Sequence, residues 1–108
     1  MSSHTLDTEA WQKMSIFAQM GNIGSEVGRA AKAYTSADAV SFDGAFRRAL
    51  DLFDATISAQ VDAKSPRLKE ILLAREQFTA QYYGDTPAVD PSLESYFMQF
   101  AIADRLQR

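Results

Sequence analysis

The spacing of apolar positions predicts a chain built of helices. From about Asp7 to Tyr34, the residues Trp11, Met14, Ile16, Met20, Ile23, Val27, Ala31 and Tyr34 recur at intervals near three and four. That is the repeat of one helix face and not the alternation of a strand. Read without interruption, it predicts a first helix of roughly 28 residues, the longest of the chain. Thr5, Asp7 or Thr8 can cap its start, and Arg29 and Lys32 sit favourably at the negative end of its dipole. After a connection over residues 35–40, Ser41 is expected to cap a second helix reaching about Gln60. Its stripe is Phe42, Phe46, Ala49, Leu50, Phe53 and Ile57.

Two proline starts follow. Ser65-Pro66 reads as cap plus first helical residue, because proline has no amide hydrogen to leave unpaired there. This third helix runs to about Tyr83, with Leu68, Ile71, Leu72, Arg75, Phe78, Thr79 and Tyr82 along one side and Gly84 as its stop. Asp90-Pro91 repeats the start and opens a fourth helix through Leu93, Tyr96, Phe97, Phe100, Ala101 and Leu106. Each helix has one apolar face in need of cover, and short connections make neighbours antiparallel. The expected fold is therefore all-α, an antiparallel four-helix bundle with a long first helix. It forms a single domain over residues 1–108, with residues 1–6 flexible.

One stretch breaks the helical rule. Gly21, Gly24 and Gly28 fall inside the first helix, and each costs roughly 0.5–1 kcal/mol relative to alanine. Their spacing makes a groove for close approach, either for a neighbouring helix or for a partner. The order lies in mid-helix without a preceding strand or a following Lys-Ser/Thr, so neither the P-loop nor the dinucleotide fingerprint is met. Asn22, Glu26 and Arg29 share one side of the same helix. Their plainest reading is a solvated face; the sharper one turns Asn22 and Glu26 inward and pairs Glu26 with Arg75, which interrupts the apolar stripe of the third helix.

Composition narrows the chemistry. The chain carries 11 Lys and Arg against 14 Asp and Glu, a net charge of −3 spread along its length, which disfavours nucleic-acid binding by bulk charge. There is no cysteine and a single histidine, His4. Ferritin-type sites need Glu-x-x-His pairs, so Asp51, Asp54, Glu70, Glu76 and Glu94 do not assemble one on sequence grounds, and histidine-dependent triads lack support. Arg47, Arg48, Lys64, Arg67 and Lys69 form a small basic set that helix pairs to Asp51 and Glu70 would account for. No stretch approaches the roughly 18 consecutive apolar residues of a membrane span, and the N-terminus lacks a signal-peptide pattern, so a cytoplasmic protein is expected. The surplus of aromatic residues on the first and last helices predicts a homodimer face.

Three resemblances bear on this reading. Asn22-Ile23-Gly24-Ser25-Glu26-Val27-Gly28-Arg29 resembles a helix of HEPN-type toxins and of the four-helix-bundle proteins encoded in intervening sequences of bacterial 23S rRNA genes. The segment from Arg75 to Asp85 is similar to the HEPN ribonuclease motif, in which an Arg and a His form the RNA-cleaving site at a dimer interface. Arg75 and Tyr82-Tyr83-Gly84 match that motif, but Glu76 holds its Asn position and Ala80 its His position. Alanine cannot exchange a proton, so the resemblance implies a scaffold without cleavage chemistry. Trp11 to Ala30 also resembles the opening of a group of small bacterial helical proteins to which no activity attaches. The expectation is a non-enzymatic bundle without cofactor or metal, acting through homodimerisation and a protein partner. A degenerate HEPN-like RNA binder or ribonuclease centred on Arg75 is the alternative.

Overall fold

The computed structural model describes residues 7–107. Thr5, His4 and the flexibility expected of residues 1–6 lie outside them. Among the described residues every regular element is a helix. These are α1 (Thr8–Lys13), α2 (Ile16–Thr35), α3 (Ala39–Asp62), α4 (Leu68–Tyr83) and α5 (Pro91–Leu106).

The long first helix of the sequence reading is two helices. Ser15 takes an extended conformation, and its hydroxyl accepts from the Ala18 N–H, which caps α2 and ends α1. Gln19 holds the break shut: its amide donates to the carbonyls of Trp11 at 2.8 Å and Met14 at 3.4 Å, the first of which also accepts from the Met14 N–H that closes α1. Trp11 is 6% exposed and donates its indole N–H to the Thr56 hydroxyl at 2.9 Å, fixing α1 on α3.

The other boundaries follow local chemistry. Asp38, not Ser41, caps α3, accepting from both the N–H and the hydroxyl of Ser41. Those two bonds, hydroxyl first, hold the Asp38 carboxyl below the usual carboxylate range. α2 and α3 end on the same device: Ala37 and Lys64 adopt φ of 56° and 51°, while Asp38 and Ser65 donate back to the carbonyls of Ala33 and Gln60. Glycine usually fills that left-handed position, so neither ending carries its ordinary sequence signal. Gly84 stops α4 with a φ of −88°, without the left-handed turn. The loop that follows is pinned by buried Gln81, whose backbone carbonyl accepts from Ala88 and whose side-chain oxygen accepts from the Asp90 N–H at 2.7 Å. Ser65 caps the turn leading into α4 through the Arg67 N–H, and Asp90-Pro91 opens α5 as the sequence predicts.

α2 is the central helix, packing most extensively on α3 and then on α5; α4 lies against α3 and α5. The core joins Met20, Ile23 and Val27 of α2 to Phe53 of α3, Ile71 and Phe78 of α4, and Leu93 and Phe97 of α5. Phe53 meets Phe78 and Phe97 at ring-centre separations of 5.8 Å each. Tyr34, Phe42, Phe46, Tyr82 and Tyr83 continue the ring contacts to one end of the molecule.

Tyr82 is the costly member of that cluster. Its hydroxyl is buried without a hydrogen-bond partner among the described residues, and burial, with the charge of Glu94 adding, pushes its pKa from 10.0 up to about 12. A raised folded-state pKa means that the protonated phenol contributes its full stability below pH 10, and that this contribution is lost as pH rises through about 12. Tyr82→Phe is expected to match the parent or exceed it by about 1 kcal/mol at neutral pH, since an unpaired buried hydroxyl is removed. It should also flatten the decline in stability above pH 10. Urea unfolding of both proteins from pH 8 to 12 checks this, and a variant at least 1 kcal/mol less stable at neutral pH would contradict it.

Candidate functional site

The polar trio divides rather than acting as a unit. Asn22 is exposed and donates to the Ala18 carbonyl one turn back, so it belongs to the solvated face. Glu26 is 8% exposed and points at α3. It does not meet Arg75. Its Oε2 accepts from Arg48 Nε at 3.0 Å, and its Oε1 lies 3.2 Å from Arg29 Nη1 in an ion pair without hydrogen-bond alignment. Arg75 instead donates to Asp54 Oδ1 at 2.9 Å. The reason is topological: α4 sits beside α3 and α5, so an arginine on α4 finds α3 carboxylates before it can reach α2.

The arginines of α3 are also paired differently from the helix-pair expectation. Helical side chains lean toward the N-terminus of their own helix. Arg47 accordingly takes Asp43, one turn back, at 2.9 Å, and not Asp51 ahead of it. Arg48 leans over Gly44 on its way to Glu26; a Cβ at Gly44 would stand 3.2 Å from Arg48 Nη1. The glycine therefore makes room for the guanidinium. Arg67 does pair with Glu70 at 3.8 Å, and it also lies over the rings of Phe17 and Phe100. Tyr96 donates to Glu70, and burial followed by that bond raises its phenol pKa.

Around the Glu26 cluster the facing sides of α2 and α3 leave a cleft of about 470 Å³, lined among others by Arg29, Lys32, Ser36, Asp38, Ser41, Gly44 and Arg48. Its charge contrasts with the acidic chain. The sequence marks Glu26, Arg29 and Arg48 separately but does not bring Lys32 and Gly44 to them; the signal was the Gly44-x-x-x-Arg48 spacing, one helical turn.

The three glycines of α2 have three different environments. At Gly24 a Cβ would lie 2.6 Å from the Cβ of Phe97 on α5, closer than packing allows. At Gly21 it would make ordinary contact with Ala101, and at Gly28 it would meet nothing within 4 Å. Close approach is thus the role of Gly24, while Gly28 opens onto a hollow of about 200 Å³ lined also by Ser25, Glu94 and Met98. Gly24→Ala is expected to cost about 1–2 kcal/mol, since overpacking outweighs the gain in helix propensity, whereas Gly28→Ala should gain about 0.5–1 kcal/mol. Thermal unfolding of the two variants reads the opposite signs directly; equal shifts would refute the packing assignment.

Among the described residues no helix is long and apolar enough to cross a membrane, and no group of three or more His, Asp or Glu is placed to hold a metal ion. No family model, curated protein or solved structure matches the chain.

Proposed function

We propose that this chain is a non-enzymatic antiparallel helical bundle that acts by binding, as a homodimer, through the shared face of α2 and α5. One observation carries the reading. Met98, Ile102 and Leu106 stand at i, i+4 and i+8 on α5, exposed at 57%, 44% and 81%, and Met98 borders the hollow over Gly24 and Gly28. A two-fold interface uses the same patch on both copies, so knob and hole must lie side by side on one surface. This face has that form: Met98 of each copy would enter the hollow of the other. The HEPN-like alternative gains no such support, because Arg75 is engaged by Asp54.

Sedimentation equilibrium at micromolar concentration tests the proposal. A dimer is expected for the parent, and a folded monomer for Met98→Asp/Ile102→Asp, whose exposed positions leave the core untouched. A parent that stays monomeric across the micromolar range overturns it.

A further inference from the structure

We propose that the cleft between α2 and α3 binds the phosphate group of a small molecule, using Arg48, Arg29 and Lys32, with Glu26 as the residue that positions the two arginines. Glu26 is buried on α2 and accepts from Arg48 Nε at 3.0 Å, which restrains the guanidinium of this cleft residue. The two Nη groups of Arg48 then lie over Gly44 at the cleft wall and make no hydrogen bond among the described residues. Lys32 lines the same cleft and makes no ion pair among the described residues.

Charge favours an anion. Three cations stand against the carboxylates of Glu26 and Asp38, leaving a surplus of one, and Asp38 is engaged as the cap of α3, where the helix dipole offsets part of its charge. Arginine presents a planar fork of donors suited to phosphate, and a guanidinium already held by a carboxylate loses less freedom on binding. A void of about 470 Å³ falls in the size range of small-molecule sites. The net charge of −3 points away from nucleic acid, whose affinity grows with the number of phosphates contacted.

Calorimetric titration of the full chain with inorganic pyrophosphate, a nucleoside monophosphate, succinate and a short single-stranded RNA tests this. Saturable binding of pyrophosphate or the monophosphate, one per chain and stronger than that of succinate, is expected. Arg48→Ala and Lys32→Ala should each weaken it by about tenfold or more, as loss of a charge-assisted contact does. Gly44→Ala separates binding from folding: alanine favours the helix, so the melting temperature should hold or rise, while displacement of the guanidinium weakens pyrophosphate binding. Absence of saturable phosphate binding at millimolar concentration, affinity unchanged in Gly44→Ala and Lys32→Ala, or RNA binding tighter than every small anion would each overturn the proposal.

Discussion

Glu26→Ala is expected to destabilise the protein by roughly 2–3 kcal/mol. Removing one partner of a buried ion pair costs about 3–5 kcal/mol when the other charge is trapped. Here the figure falls lower, because the side chains of Arg48 and Arg29 are 35% and 64% exposed and can turn to solvent. A double-mutant cycle gives the sharper result. Glu26→Ala and Arg48→Ala should couple by at least about 0.5 kcal/mol, as residues in one charge network do. Glu26→Ala and Arg75→Ala should add independently, because Arg75 belongs to Asp54. Urea unfolding of the three single and two double variants measures both terms, and a coupled Glu26–Arg75 pair would show that α2 and α4 meet in a way the packing does not provide.

Trp11→Ala should have the larger effect, about 3–5 kcal/mol if unfolding remains one transition. The indole fills the space between α1 and α3 and is the only side chain of α1 that is buried. Its loss also strands the Thr56 hydroxyl, which is fully buried. α1 is six residues long, too short to persist without tertiary contacts. The variant should therefore lose the helicity of α1 while α2 to α5 still unfold cooperatively. Amide exchange over residues 8–13 and denaturant unfolding together check this; retained protection of those amides would contradict it.

The helical class and most of the core were legible in the chain because they depend on local periodicity. Phe53, Phe78, Phe97, Met20 and Ile23 are all buried on the faces that the spacing assigns to the interior. Asp90-Pro91 was legible for a similar reason, since cap and proline act within one turn. The break at Ser15 was not. The apolar repeat runs through it, and the side chain that seals it, Gln19, reads as an ordinary polar position. Thr56 and Gln81 were missed in the same way: each is polar in sequence and buried in structure, Thr56 because it accepts from the distant Trp11 indole and Gln81 because it accepts from the Asp90 N–H and donates to the Phe78 carbonyl.

The candidate site shows where pattern stops. Glycine spacing indicated that something approaches α2, and at Gly24 something does. It could not separate Gly24 from Gly28, because the difference lies in where α5 crosses. Glu26 needed a cation, and periodicity offered Arg75 as the one charged group in an apolar stripe. The choice of Arg48 depends on which helices are neighbours and on a side chain leaning back over Gly44, both settled by tertiary packing.

The contact of Gly24 with Phe97 also orders events in time. α2 and α3 are joined by three residues, so their pairing closes a short loop, whereas α5 must return across more than half the chain to reach α2. We predict that the α2–α3 hairpin forms in the folding nucleus and that α5 docks after the rate-limiting step. The destabilisation of Gly24→Ala should then appear almost wholly as faster unfolding, with the refolding rate near that of the parent. Stopped-flow kinetics showing slowed refolding instead would place α5 in the nucleus and make the crossing at Gly24 an early long-range contact.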